Sequence, residues 1–266
     1  MNFPGLGVGV LSWCDRTGRG GPSLRNSLAT YKQAGLFELV GEALLWCQEI
    51  SPQDRALADG MGLAVNGSSD NQGILGGFKN LATAMTSDIL VLLENDLPLI
   101  EPREELIRQF TLAQDALRSG EVQVFRLRHV AAPGQKFDTL QKYQLYHGLG
   151  LMPQLRRTMR PGKAQRLAGT ALYGEADPAA KFPDLIAQAA DGSYRISSRC
   201  LPWTNQSIMV RRDFFLETII AYAERHPSRR RVNGFPDIEK EWNAPQWRNS
   251  GWTIGADRGL FTHERV

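Results

Sequence analysis

The chain has 266 residues, of which 42% are hydrophobic and 22% charged, and a formal net charge of +3. These values suit one large α/β domain, or one domain with a sizeable insert, and a real core. They exclude a membrane-spanning helix, since no stretch nears the roughly 18–20 uninterrupted apolar residues that a span requires.

The opening MNFPGLGVGVLSW has no basic leader region and runs into Cys14-Asp15-Arg16. It therefore reads as a first strand, not a signal peptide, and the expected location is cytoplasmic. Leu6–Trp13 has the continuous apolar character of a buried parallel strand. Cys14–Pro22 is a loop. Ser23 is the expected N-cap of a helix over Leu24–Gln33, stopped by Gly35. Ala43–Cys47 is a second strand, and Ser51-Pro52 begins a short helix. A third strand covers Gly62–Asn66. A Gly-rich loop, 66–77, then leads into a helix ending near Ala84. Asp88–Leu93 is a buried strand that stops abruptly at Glu94-Asn95-Asp96. Pro102 begins an amphipathic helix to about Ser119, and Val122–Arg128 is a fifth strand.

This alternation predicts a mostly parallel sheet with helices on both faces. Ligands of such sheets bind outside the carboxyl ends of the strands. Ser12, Gln48-Glu49 and Glu94-Asn95-Asp96 all follow strand ends, so they are expected in one crevice.

Residues 129–200 have few clear strand signals and read as an insert or lid. Helices are expected over Leu140–Met159 and Pro183–Ala190. Ser207–Val210 is a strand and Phe214–Glu224 a helix capped by Asp213. Gly259–His263 is a short apolar run ending in His. Residues 126–231 hold 18 Lys+Arg against 8 Asp+Glu. That excess fits an anionic partner or a solvated basic face. Cys14, Cys47 and Cys200 form no CxxC pair, so buried reduced thiols are expected instead of disulfides or a zinc site.

The acidic cluster Glu94-Asn95-Asp96 suits a hard cation such as Mg²⁺ or Mn²⁺. Upstream, the Asn71–Asn80 run has glycines that allow close backbone approach to a ligand, before a helix with free N–H groups. Alone, each signal also fits ordinary turn chemistry.

Residues 6–128 resemble the family 2-like glycosyltransferases: GVGVLSW, SLRNSLATYKQAGL, QEIS, N-x-G-I-x-x-G-F-x-N-L and DILVLLEND follow in order. The resemblance implies a GT-A, Rossmann-like nucleotide-diphospho-sugar transferase fold. Residues 1–128 would form the donor half and 129–266 the acceptor half of one continuous domain, with a lid over 129–200. It implies a UDP- or GDP-sugar donor held by Ser12, Trp13, Glu49, Asn71, Gly73, Lys79, Glu94 and Asn95. It further implies Mn²⁺ or Mg²⁺ on Asp96, Glu94 and His263. Glu stands where the family's signature usually begins with Asp, and the usual Asp-Asp-Gly-Ser pattern is absent. In the weaker second half, Trp203 and Asn205 match acceptor- or sugar-contacting positions. Gly234–Glu239 matches the segment carrying the general base, with Pro236 in place of the usual Glu; Asp237 is the matched base and Glu239 its rival.

The implied reaction is inverting, metal-dependent transfer to the hydroxyl of a glycan, lipid-linked or other acceptor. Nucleic acid is not an expected partner. The basic segment Arg156–Arg166 could clamp the donor diphosphate, face an anionic acceptor or touch a membrane, with a solvated helix face as the plain alternative. Two other readings stay open: a non-catalytic nucleotide- or glycan-binding protein, and a nucleotidyltransferase whose nearest triphosphate loop would be Gly18-x-Gly20-Gly21 with Arg16 and Arg19. A dinucleotide-binding oxidoreductase fits poorly, because Gly5-x-Gly7-x-Gly9 lies inside a strand.

Overall fold

The structure, a computed structural model, describes residues 2–14, 20–135, 137–229 and 231–264. The loop residues Arg16, Gly18 and Arg19 lie outside the described residues, as does Arg230. Strand β1 (Phe3–Trp13) leads to helices α1 (Gly21–Gln33) and α2 (Leu36–Leu39), then β2 (Val40–Gln48) and α3 (Pro52–Met61). The chain continues through β3 (Ala64–Ser68), α4 (Gly73–Ala84), β4 (Ile89–Glu94), α5 (Arg103–Arg118) and β5 (Val124–Arg128). Three helices follow, α6 (Asp138–His147), α7 (Leu151–Met159) and α8 (Pro161–Leu167). Strands β6 (Ile186–Gln188), β7 (Tyr194–Ser197), β8 (Ile208–Arg211) and β9 (Thr253–Phe261) complete the sheet.

The strand order is β3-β2-β1-β4-β8-β5-β9-β7-β6. All strands run one way except β7 and β8, which are antiparallel to their neighbours. The carboxyl ends of β1, β2, β4, β5 and β9 therefore share one edge. Because β8 is reversed, its beginning, after Trp203–Gln206, meets the same edge. Alternating side chains feed two cores. Val8, Val10, Leu45, Val91 and Phe125 belong to the core shared with α1 and α5. Leu11, Leu44, Leu90, Leu92 and Val124 belong to the other, with α4 and a cluster of Trp203, Trp242 and Trp247. Gly7 and Gly9 let α4 approach β1: a Cβ on Gly9 would lie 2.9 Å from Met85 Sδ. Their role is packing, consistent with their place inside a strand.

Local chemistry explains the elements. Ser51 and Asp54 form a reciprocal capping box with Pro52 in the first turn of α3. Helix α1 begins at Gly21, before the expected cap: Ser23 is buried inside its first turn, and Pro22 supplies the preset helical φ. The expected helix over 140–159 is two helices, broken by Gly148–Gly150, with Gly150 at φ 104. The expected helix over 183–190 is instead strand β6. Asp191-Gly192 turns it into β7, with Asp191 Oδ1 accepting from Ser193 N–H at 2.8 Å. The last part of the expected lid thus joins the sheet, while most of the segment before it is helical. Phe214–Arg225 is helical as expected, although Phe214–Ile220 is wound as a π-helix. The short C-terminal run is the end of a nine-residue strand.

Candidate functional site

At the shared edge, β1, β2 and β4 deliver their last side chains to a cavity of about 140 Å³. It is lined by Trp13, Gln48, Asn71, Gly73, Glu94 and Asn95, and closed by Val232, Asn233 and Phe235. The floor is rigidly tied. Gln48 Oε1 accepts from Gln72 N–H, and Asn71 Oδ1 from Gly73 N–H, both at 2.8 Å. Asn95 Nδ2 donates to Gly20 O at 3.3 Å, and Ser27 Oγ to Asn95 O at 3.0 Å, joining the end of β4 to α1. Gly73 has φ 69, and its missing side chain leaves room for Phe235.

A second, wider cavity of about 600 Å³ opens beside the ends of β1 and β2, lined by Cys14, Arg25, Glu49, Ser51 and Asp54 among others. Trp13 Nε1 donates to Glu49 Oε2 at 2.8 Å, so one contact spans both cavities. Glu49 sits at φ 57, a left-handed backbone unusual for its type. Such strain is held by surrounding structure and concentrates where function fixes a side chain.

Asp96 and His263 meet just beyond Asn95. His263 Nε2 stands 3.1 Å from Asp96 Oδ2, and both residues are buried. The pair is clamped on each side: His263 Nδ1 contacts Gln135 O at 3.1 Å, Gln135 N–H donates to His263 O, and Glu264 N–H to Asp96 O. Among the described residues, no three His, Cys, Asp or Glu side chains converge as a metal cluster. Glu94 lines the cavity. The remaining pair still fits a cation. Two ligands about 2.1 Å from an octahedral ion stand roughly 3.0 Å apart, and such ions take one or two protein ligands and fill their shell with phosphate and water. Imidazole with carboxylate suits Mn²⁺.

A third cavity, of about 230 Å³, lies where β5 ends and β8 begins, with Arg126, Arg128, Tyr173, Trp203, Thr204 and Glu239 on its walls. Glu239 Oε1 accepts from Thr204 Oγ1 at 2.8 Å and Asn205 N–H at 3.1 Å. Asp237 is placed differently. It is buried, and its Oδ1 accepts from the N–H groups of Ile238 and Glu239, at 2.8 and 3.3 Å. Arg128 donates to Pro133 O and Gln206 Oε1, each at 2.8 Å. Burial holds its guanidinium below the usual Arg range, while Tyr173, Glu239 and Asp96 oppose that shift. Arg128 therefore feels both the Asp96 and the Glu239 carboxylates.

The structure thus brings Trp13, Asn71, Gly73, Glu94 and Asn95 together and sets Glu49 beside them. It does not bring in Lys79, which pairs with Glu224 at 2.6 Å, both half-exposed. Ser12 is fully buried, its hydroxyl 3.8 Å from Cys14 Sγ. Asn205 spends its side-chain oxygen on Trp203 Nε1 at 2.8 Å, and Trp203 stacks on Phe215, so both shape the wall from within. Arg126 and Arg128 were hidden in the sequence because they sit in strand β5, where alternation alone gives no hint of a cavity. The cysteines are free; burial pushes the Cys200 thiol up to about 12.

No known family profile matches the chain, and no curated protein matches it. Solved structures do. A structure of TarS residues 1–349 from S. aureus matches at a TM-score of 0.53 and 9% identity, over 99% of this chain and 60% of that one. The chain thus spans about three fifths of that relative. A mycobacterial protein matches at 0.50 and 12% identity, over 98% and 67%. Glucosyl-3-phosphoglycerate synthase from Mycobacterium tuberculosis, solved with Mn²⁺, UDP-glucose and phosphoglyceric acid, matches at 0.48 and 11%, over 98% and 72%. The chain has the GT-A, Rossmann-like fold that glycosyltransferases share with nucleotidyltransferases.

Proposed function

We propose that the chain transfers a sugar from a nucleotide diphosphate donor to an acceptor hydroxyl. The observation that carries this is the convergence of Trp13, Gln48, Asn71, Gly73, Glu94 and Asn95 on one cavity at the carboxyl edge of the sheet, one residue from the buried Asp96–His263 pair. Open α/β sheets bind ligands at this edge. The wider cavity beside Glu49 suits the nucleoside, and Glu49 and Glu94 are acceptors for base or ribose donors. Asp96 and His263 hold a divalent cation, which when bound neutralises charge on the diphosphate.

Glu239 is the better general base. Thr204 and Asn205 fix one of its oxygens, and Oε2 has no partner among the described residues, so it is available to a hydroxyl in the cavity. Asp237 instead caps the turn that presents Glu239. Arg126 and Arg128 place positive charge on the acceptor side. A base held apart from the cation end of the donor favours direct displacement with inversion.

The test is a panel of UDP- and GDP-sugars incubated with and without Mn²⁺, following release of the free nucleoside diphosphate. Metal-dependent release, lost in Asp96→Ala, is expected. Binding without turnover under every donor and acceptor tried refutes the transferase in favour of a binding protein. Pyrophosphate formed from a nucleoside triphosphate and a sugar phosphate moves the assignment to a nucleotidyltransferase.

A further inference from the structure

Helix α7 is inside out. Seven large hydrophobic side chains are described as exposed, and six of them fall between 145 and 159: Leu145, Leu149, Leu151, Met152, Leu155 and Met159. Leu149 is fully exposed and Leu151 is 82% exposed. A water-facing helix normally turns such residues to the core and its charges outward. Here the arginines hold the helix down: Arg156 Nη1 donates to Leu145 O at 3.1 Å and Arg157 Nη1 to Tyr146 O at 2.7 Å, at the carboxyl end of α6. The apolar side chains are left facing outward. No residue of α7 is buried.

The sequence around this face is basic. From 139 to 174 the sequence has six Lys or Arg and no Asp or Glu. Helices α6 and α8 also contribute to a cavity of about 410 Å³ lined by five cations, Lys142, Lys163, Arg166, Arg199 and Arg248, and by no acidic residue. None of the five makes an ion pair among the described residues. Burial chiefly, and then the nearby Arg166 charge, lower the proton affinity of Arg248. This cavity shares Leu201, Pro202 and Asn243 with the Glu239 cavity.

We propose that α7 lies in the plane of an anionic phospholipid bilayer, with its Leu and Met side chains at the acyl boundary, and that the five-cation cavity beside it receives a lipid phosphate headgroup. An apolar helix face combined with basic residues is the pattern of an interfacial anchor, and one weak insertion plus an electrostatic site makes two signals. The attachment is peripheral, since no described helix is long and apolar enough to span. Charge complementarity selects the occupant: anionic headgroups answer the one-sided charge over the whole patch. Docking this way sets the Glu239 cavity beside the bilayer.

The test is co-sedimentation of the whole chain with vesicles of phosphatidylcholine, alone or mixed with phosphatidylglycerol. Binding to the mixed vesicles, little to the neutral ones, and loss with added salt are expected. Lys163→Ala with Arg166→Ala lowers partition onto mixed vesicles roughly 25-fold, about fivefold per charge. Leu151→Ser with Leu155→Ser lowers it roughly tenfold or more. Both pairs keep the wild-type melting temperature, because all four side chains are exposed or half-exposed. Equal binding to neutral vesicles, no binding to either, or unchanged partition in both variants overturns the proposal. So does a dimer in light scattering that Leu151→Ser with Leu155→Ser dissolves, since a second copy then covers the face. Saturable binding of inorganic phosphate without any vesicle binding also overturns it. None of these readouts uses transferase activity, so the outcome is independent of the donor assignment.

Discussion

Replacing Gly73 with Ala strikes the proposed donor cavity where Phe235 closes it. Gly73 has φ 69, and an added Cβ would press on the Cβ of Phe235 and lie 2.8 Å from its Cγ. Those atoms cannot swing away, because Val232 and Phe235 are bridged by two backbone hydrogen bonds of 3.0 Å. The left-handed backbone costs an alanine about 1–2 kcal/mol. Overpacking against a fixed neighbour costs about 1–3 kcal/mol more. The expected loss is therefore roughly 2–5 kcal/mol if the hairpin holds. If the hairpin yields, stability falls less, but the cavity wall made by Val232, Asn233 and Phe235 moves. UDP or GDP affinity then drops roughly tenfold, the equivalent of about 1.4 kcal/mol. Urea denaturation and nucleotide titration measure the two quantities. Phe235→Gly in the same chain removes both clashing atoms, Cβ and Cγ, and leaves the strain at position 73, so the double-mutant cycle should show a coupling of about 1–3 kcal/mol. Additivity within about 0.5 kcal/mol, with wild-type nucleotide affinity in Gly73→Ala, refutes the reasoning.

Asp96→Ala and His263→Ala should each weaken Mn²⁺-dependent nucleotide binding by at least the 10–100-fold typical of losing even an outer-shell partner of a metal ligand; binding measured in EDTA should be nearly unchanged. Glu239→Gln keeps the Thr204 and Asn205 contacts and should cost about 10²–10⁴ in turnover with donor affinity intact, whereas Asp237→Asn should mainly lower the melting temperature; a reversal of the two in a nucleotide-release assay would exchange their roles. Glu42 is partly desolvated, which raises its pKa, but hydrogen bonds from the backbone and hydroxyls of Ser87 and Thr86 outweigh that and lower it. Its folded pKa is depressed, so its stabilising effect is present above the ordinary Glu value of about 4.3 and lost as the pH falls through the folded value. Glu42→Gln should therefore melt a few degrees lower than wild type at pH 7 and converge with it in acid, as thermal scans across pH would report.

The sheet and its working edge were readable along the chain because each strand of the first half is a short apolar run stopped by polar residues. That pattern depends on burial of the strand itself and needs no distant partner. Gln48, Glu94 and Asn95 could be assigned to one crevice by the same logic: parallel strands bring their carboxyl ends to one side. The second half was less legible. Strands β6, at the sheet edge, and β7, beside it, are short and mostly exposed or half-exposed, so their alternation is weak, and only the Asp191-Gly192 turn marks them. Lys79 matched a motif, but helical periodicity carries it to the outer face of α4, where Glu224 takes its charge.

The sequence alone determined the fold class and the carboxyl-edge crevice, since these follow from local burial patterns and chain direction. Tertiary structure decided the rest, because it depends on groups far apart in the chain. Asp96 meets His263 across 167 positions. Asp237 turned inward to its own backbone and Glu239 outward to a cavity, a choice made by Thr204 and Asn205 on another segment. The apolar side chains of α7 likewise face outward where Arg156 and Arg157 turn inward to the end of α6. Periodicity can show that a helix is amphipathic; which side meets the protein is fixed by the contacts it makes.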